Sequence, residues 1–332
     1  MKLTLILPGL AWLDAYDGAD VCKGLALPAL QTLLGRGRLI RREAALGACL
    51  TDLWQAPPSG LARLAASEAG LPADDGHWLL ADPAHLRVER DRALLADVGV
   101  MTLGQEEADA FCLTLNRHFA ADGLRFHPAW PGRWLLQTET EPDARFSPLW
   151  DAVGDDAHTH RPQGGRGLDW DRLLNEMQML LYASPLNDQR EARGELAVNS
   201  LWLWGEGEPA DWQAPAARLL ADDEALSWLA RRSGMACDAA PYAFDGLAPG
   251  EDCLIVLDSL QAAAQYRDAW GWRETLPRLE RDWFQPLLSA LKAGQIEQLT
   301  LIAHGTAGFE LRLKPGDLWK FWKRPLALAA LY

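Results

Sequence analysis

The chain has 332 residues, enough for two domains or for one core with a large insertion, and long enough to bury a core without disulfide or metal staples. Its net charge of −14 repels polyanions and argues against direct binding of DNA or RNA, which rests on neutralising phosphates. A mean hydropathy of −0.15, with no run near the ~20 apolar residues of a membrane span, points to a soluble globular protein without a membrane partner.

Leu3–Leu7 is an apolar run closed by Pro8-Gly9 and reads as a buried parallel strand. One lysine ahead of it, and Asp14 and Asp17 soon after, fit a cytoplasmic protein's first strand better than a signal peptide. Leu27, Leu30, Leu33 and Leu34 follow at helical spacing, ended by Gly35 and Gly37. Residues 86–100 alternate charged and apolar groups around a turn, Glu106–Phe119 is amphipathic and helical, and Arg133–Thr138 is a short strand. Residues 141–168, rich in Pro, Gly, Asp and His, read as irregular. Asp252–Asp258 and Leu299–Gly305 are two further buried strands. Between them Leu276, Leu279, Trp283, Phe284, Leu287, Leu288 and Leu291 mark one helix face, so the segment predicts a βαβ crossover and a parallel sheet. The expected organisation is an α/β core of residues 1–78 and 180–332 with an α+β domain inserted at 79–179.

The five cysteines stand far apart without a CxxC and read as reduced core thiols. The 16 tryptophans, twice the number of phenylalanines, read as packing residues more readily than as stacking platforms. Asp82-Pro83-Ala84-His85-Leu86-Arg87 gathers groups able to bind phosphate or metal, but as isolated sequence it reads better as a loop with surface charges. Asp155, His158 and His160 in the irregular region could supply a carboxylate and two imidazoles to a metal, and a solvated loop explains them equally well.

The most informative stretch is 184–207, where Asn187, Arg190, Gly194, Asn199, Trp202, Trp204, Gly205 and Gly207 stand in a fixed pattern. Its glycines suit a turn at a strand end that needs positive φ or close backbone approach. This pattern resembles a segment of the archaeal-type cofactor-independent phosphoglycerate mutases, members of the alkaline phosphatase superfamily. The segment Leu27–Leu34 resembles that superfamily's first helix. Asp82–Arg87, Arg133 and the pair Asp155 and His158 resemble the mutases' insert. The chain resembles more closely still a bacterial family, the RpfE-type regulatory proteins, through Asp82–Arg87, Leu174–Leu180 and the turn from Asn199 to Gly207. The resemblance implies an alkaline-phosphatase-like core with a mostly parallel sheet and an inserted α+β domain.

It also implies what is missing. The mutases clamp the reacting phosphoryl group between two divalent metals, which takes about six carboxylate and imidazole ligands at strand ends. Where their first strand ends in a ligating Asp, this chain has Pro8-Gly9. Asp258 remains in the second ligand run, but no histidine follows it, and of an Asp-His-Ser at the third strand only His304 is kept, in Ala303-His304-Gly305. No clear nucleophile stands out: Thr51 is the only candidate near the place the resemblance implies, and Ser59 a poor second. The expectation is therefore a pseudoenzyme with no catalytic residue and no cofactor, its metal site reduced to the remnants Asp258 and His304 and its role regulatory or ligand-binding. Arg87, Arg133, Asn187 and Arg190 would grip an anionic phosphorylated metabolite, with a protein partner as the other expectation. Asp82, His85, Asp155, His158, Asn199, Trp204 and His304 complete the candidate ligand site. The alternative is a divergent phosphohydrolase or phosphoglycerate mutase using Mn, Zn or Mg in a site rebuilt from Asp82, His85, Asp155, His158, Asp258 and His304.

Overall fold

The computed structural model describes residues 1–89, 92–97, 99–244 and 250–332, the side chain of Glu89 aside. The turn expected within 86–100 falls partly on 90–91, outside the described residues. In chain order the strands are β1 (Lys2–Ile6), β2 (Arg38–Arg41), β3 (His77–Glu89), β4 (Arg92–Ala96), β5 (Leu124–Trp130), β6 (Arg133–Thr138), β7 (Ser200–Trp204), β8 (Arg218–Leu220), β9 (Ala236–Asp238), β10 (Cys253–Val256), β11 (Gln298–Ala303) and β12 (Phe309–Leu313). They fall into two compact units, Met1–Ala56 with Trp212–Tyr332, and Pro57–Asp211.

The first unit is built on a seven-stranded sheet in the order β2-β12-β11-β1-β10-β8-β9. The run from β11 to β9 is parallel, and β12 and β2 add antiparallel strands at one edge. The three apolar runs read from the sequence therefore share one sheet. β10 and β11 are parallel but not adjacent, because β1 lies between them. The helix predicted over 276–291 runs from Ala269 to Lys292 through one π turn at Glu280–Phe284. The helix predicted at Leu27–Leu34 is Pro28–Arg36 and buries Leu30, Leu33 and Leu34. Its first N–H groups have no partner within the helix. Glu280, buried in the π turn, supplies one: Ala29 N–H donates to Oε1 at 2.7 Å and Leu30 N–H to Oε2 at 3.2 Å. The architecture is mixed α/β with a central, mostly parallel sheet.

The second unit is α+β, as its lack of βαβ rhythm predicts, and reaches further on both sides than 79–179. Its sheet runs β4-β3-β6-β5, with β7 on the other edge of β3. The reason for the wider bounds is pairing: Leu80 to Ala84 of β3 pair with Trp204 to Ser200 of β7, so residues beyond 180 join the same sheet. The helix Gln105–Phe119 buries Phe111, Leu115 and Phe119, and Phe111 packs against Trp134 of β6.

Asp82–Arg87 is not a surface loop but the middle of β3. Pro83 is tolerated there because β6 partners β3 only as far as Ala81 and β4 only from His85. The missing N–H of Pro83 falls in that gap, while Ala84 C=O faces β7 and accepts from Asn199 N–H. Twelve of the 16 tryptophans are buried, in line with a packing role.

Candidate functional site

Ligands of open α/β sheets gather at the carboxyl ends of parallel strands. In the first unit these ends are aligned, with Ile6 opposite both Val256 and Ile302. Leu7 N–H donates to Ile302 C=O and Leu257 N–H to Ile6 C=O, each at 3.0 Å. Pro8-Gly9, Asp258 and Ala303-His304 therefore follow three neighbouring strand ends, where the resemblance noted in the sequence places them. Gly9 takes φ +78°, and a Cβ there would lie 2.6 Å from Leu260 C=O. Its own C=O accepts from the Trp272 indole at 2.7 Å, so this turn is packed shut.

His304 is 6 % exposed, with Nε2 buried and unpartnered, and burial pushes its imidazole down to about 4. It is neutral at physiological pH. Burial of the Asp258 carboxyl, with Asp222 nearby, holds it above the ordinary range. Pro8, Gly9 and Ala303 offer no side-chain ligand, and among the described residues no three His, Cys, Asp or Glu are grouped to hold a metal. The residues do not fit a two-metal centre. Asp82, named for the rebuilt site, has its carboxylate engaged by Arg133 and Trp204.

Asp82 is 1 % exposed in β3. Ala81 pairs with Trp134, which puts Arg133 beside Asp82 on one side, and Asp82 pairs with Trp202 on the other. Arg133 Nε donates to Oδ1 at 3.1 Å and Trp204 Nε1 to Oδ2 at 2.7 Å. The Arg133 guanidinium lies 5.7 Å from the Trp204 ring centroid. Burial raises the carboxyl, and the charge of Arg133 with both hydrogen bonds opposes that shift. This closed cluster accounts for three of the sequence candidates.

Three more hold the segment that leads into β7. The Asn187 amide donates to Leu181 C=O and Val198 C=O and accepts from Val198 N–H at 2.8 Å. Arg190, 0 % exposed, donates to Leu196 C=O, Thr102 C=O and the Glu107 carboxylate. The Asn199 amide pairs with both backbone groups of Leu86, in the manner of one more strand residue. His85 Nδ1 lies 2.9 Å from Ala197 C=O. Arg87 points to the face of β3 opposite Leu86 and Val88. The expected glycines do take positive φ, +76° at Gly205 and +88° at Gly207.

A cavity of about 740 Å³, within the range of small-molecule sites, opens against β3 and β7. The helix Gly167–Tyr182 and residues 157–162 form its other sides. His158 and Asn199 line it, as sequence reading proposes, but its cations are Arg92 and Arg161 in place of Arg133 and Arg190. Leu86, Leu201 and Trp202 supply apolar wall. Arg161 Nη2 lies 3.2 Å from His158 Nδ1, and its Nη1 lies 3.5 Å from Asp171. His160, also on the wall, meets Asp155 at 3.2 Å. Asp156 caps the 3₁₀ turn Ala157–His160; hydrogen bonds from Ala93 N–H and His158 N–H hold its carboxyl low. No local pattern marked Arg92 or Arg161, since surface arginines are common; only their convergence with His158 distinguishes them.

No family model matches the chain. Over 157 residues, 45% of its length, it is 28% identical to the 2,3-bisphosphoglycerate-independent phosphoglycerate mutase of Methanosarcina mazei. Over 153 residues it is 26% identical to that of Methanosarcina acetivorans. Each match spans 37% of the mutase, little more than a third of those relatives. The chain is homologous to the cofactor-independent phosphoglycerate mutases at modest identity. Among solved structures, the PH0037 protein of Pyrococcus horikoshii superposes with a TM-score of 0.55 at 15% identity, over 99% of this chain and 91% of that one. The cofactor-independent phosphoglycerate mutase of Thermoplasma acidophilum gives 0.49 at 17% identity, over 100% and 95%.

Proposed function

We propose that this chain is a metal-depleted relative of the phosphoglycerate mutases, a pseudoenzyme that acts in the cytoplasm by binding a ligand or partner, in a regulatory role like that implied by the RpfE-type resemblance. The observation that carries the reading is the chemistry of the strand ends. Where two metals need about six ligands, the ends of β1, β10 and β11 offer Pro8-Gly9, a lone Asp258 and a neutral, buried His304. Removing most ligands of a cluster removes its affinity.

The ligand in this reading is a small phosphorylated or carboxylated metabolite held in the cavity of the second unit. Arg92 and Arg161 supply permanent positive charge, His158 and Asn199 supply directional hydrogen bonds, and Trp202 with Leu86 covers an apolar part.

Protein purified without chelator is assayed for metal content and for mutase and phosphatase activity with added Mn²⁺ or Zn²⁺. Metal far below one equivalent and no turnover support the reading; about two equivalents with turnover favour the divergent metalloenzyme. The anion site is tested by thermal shift with 3-phosphoglycerate, where ligand at a hundred times its Kd adds about 2.7 kcal/mol. A shift lost in Arg161→Ala supports this cavity. No shift removes the metabolite and leaves a protein partner.

A further inference from the structure

Half of the chain's six lysines, Lys314, Lys320 and Lys323, lie within ten residues, interleaved with Trp319, Phe321 and Trp322. Across 310–324 five basic residues stand against two acidic ones, in a chain where acidic residues outnumber basic ones 46 to 32. The three aromatic side chains are 79 %, 79 % and 68 % exposed, although most tryptophans of this protein are buried. The exposure does not come from a loose tail. Residues Pro315–Trp319 form a 3₁₀ turn in which Asp317 accepts from Lys314 N–H at 2.9 Å. The Arg36 guanidinium donates to Leu318 C=O, Leu326 N–H donates to Gln31 C=O at 2.9 Å, and Lys323 Nζ lies 3.4 Å from Gly37 C=O. Arg324 C=O approaches Gly35 so closely that a Cβ there would lie 2.2 Å away. Leu318 and Leu326 pack inward against the core, so the fold seats the leucines and leaves the larger rings outside.

The neighbouring sheet edge adds one more basic residue, Arg38 of β2, exposed and opposite Arg312 of β12, whose own guanidinium is paired with Glu310. Such an edge, rimming a cluster of exposed aromatics, has the composition of a surface that meets an anionic interface: indole and phenyl rings prefer the headgroup boundary, and basic residues are drawn to anionic lipid.

We propose that this face, Trp319, Phe321 and Trp322 with Lys314, Lys323 and Arg324 around them, docks the protein on the surface of a bilayer containing anionic lipid. Lying on a membrane is distinct from crossing it, and no described helix is long and apolar enough to cross. The acidic remainder of the chain is repelled by such a surface, which orients approach through this face. A two-fold contact of the face with a second copy would set basic residues against basic residues. Phe321 and Trp322 meet edge-on at 79°, so their rings do not form one platform for successive bases of a nucleic acid strand.

The full chain is tested by flotation with vesicles of phosphatidylcholine alone and of phosphatidylcholine with one quarter phosphatidylglycerol. Binding to the anionic vesicles is expected at low salt and should weaken as salt is raised. Each basic residue near the surface strengthens binding roughly fivefold, so Lys323→Glu with Arg324→Glu should weaken it at least about tenfold. Trp319→Ala with Trp322→Ala should abolish it, both double variants keeping the wild-type circular dichroism and melting temperature. No flotation with the anionic vesicles at low salt overturns the proposal, as does flotation that neither pair of substitutions changes. A dimer in light scattering that the tryptophan variant dissolves would assign the face to a second copy. Patch-dependent oligonucleotide binding without flotation would assign it to nucleic acid. Either result also overturns it.

Discussion

Arg133 and Asp82 lie 51 positions apart in the chain and side by side in the sheet of the second unit, with Arg133 Nε 3.1 Å from Asp82 Oδ1 and the Trp204 indole closing the other carboxylate oxygen at 2.7 Å. A buried pair of this kind adds little net stability, since desolvation offsets much of its attraction, but breaking it strands a charge. Arg133→Met alone should therefore destabilise the protein by about 3–5 kcal/mol in urea unfolding. Adding Asp82→Leu should recover most of that loss. A double variant as unstable as the single would show that the pair contributes more than the charge it neutralises.

Glu280 has the same character at a helix terminus. Its carboxylate answers two N–H groups at the start of Pro28–Arg36, where the helix dipole also favours negative charge. Hydrogen bonds to charged groups contribute about 1.5–3 kcal/mol, so Glu280→Ala should cost about that much or more. Glu280→Gln, which keeps one acceptor, should cost less. Equal losses from the two substitutions would assign the effect to packing alone.

His304 makes acid stability testable. Burial holds its folded value at about 4, against about 6.5 for a free imidazole. Between those values the unfolded chain takes up a proton that the folded chain refuses, so stability falls as pH drops from about 6.5 towards 4 and is fully present above 6.5. The contribution is of order 3 kcal/mol. His304→Leu should flatten this part of the stability–pH curve. At pH 7 it should cost little, because it removes a buried nitrogen that has no partner. A variant curve parallel to that of the wild type would contradict the assignment.

Gly9 tests how tightly the first strand end is closed. With φ +78° and a Cβ only 2.6 Å from Leu260 C=O, Gly9→Ala forces the turn to move. A loss of at least about 1 kcal/mol is expected, together with weaker protection of the Leu7 amide in hydrogen exchange. A neutral substitution would show the turn to be looser than its geometry implies.

What the sequence determined by itself is local. Leu3–Leu7, Asp252–Asp258 and Leu299–Gly305 carry continuous apolar runs, and the leucines of 27–34 and 276–291 carry helical spacing, because a strand or helix face is written in residues a few positions apart. Gly205 and Gly207 were legible for the same reason, since a sharp turn restricts the residues that make it. The loss of strand-end metal ligands was also legible, because Pro, Gly and Ala have no ligand atom to offer in any fold.

Tertiary structure alone decided which polar group meets which. Asn187, Arg190 and Asn199 stand beside a tryptophan-rich turn, where a side chain poised for a ligand and one spent on distant backbone have the same sequence. Arg190 is separated from its partner Glu107 by 83 positions, and Asn199 from Leu86 by 113. Arg92 and Arg161 reach one cavity with His158 only after β3, β4 and residues 157–162 have packed. Trp319 and Trp322 look in sequence like the tryptophans that are buried; the register of Leu318 and Leu326 against the core turns them outward. Hydrophobic periodicity is a short-range property of the chain, whereas hydrogen-bond partners are set by strand register and packing between segments far apart in it.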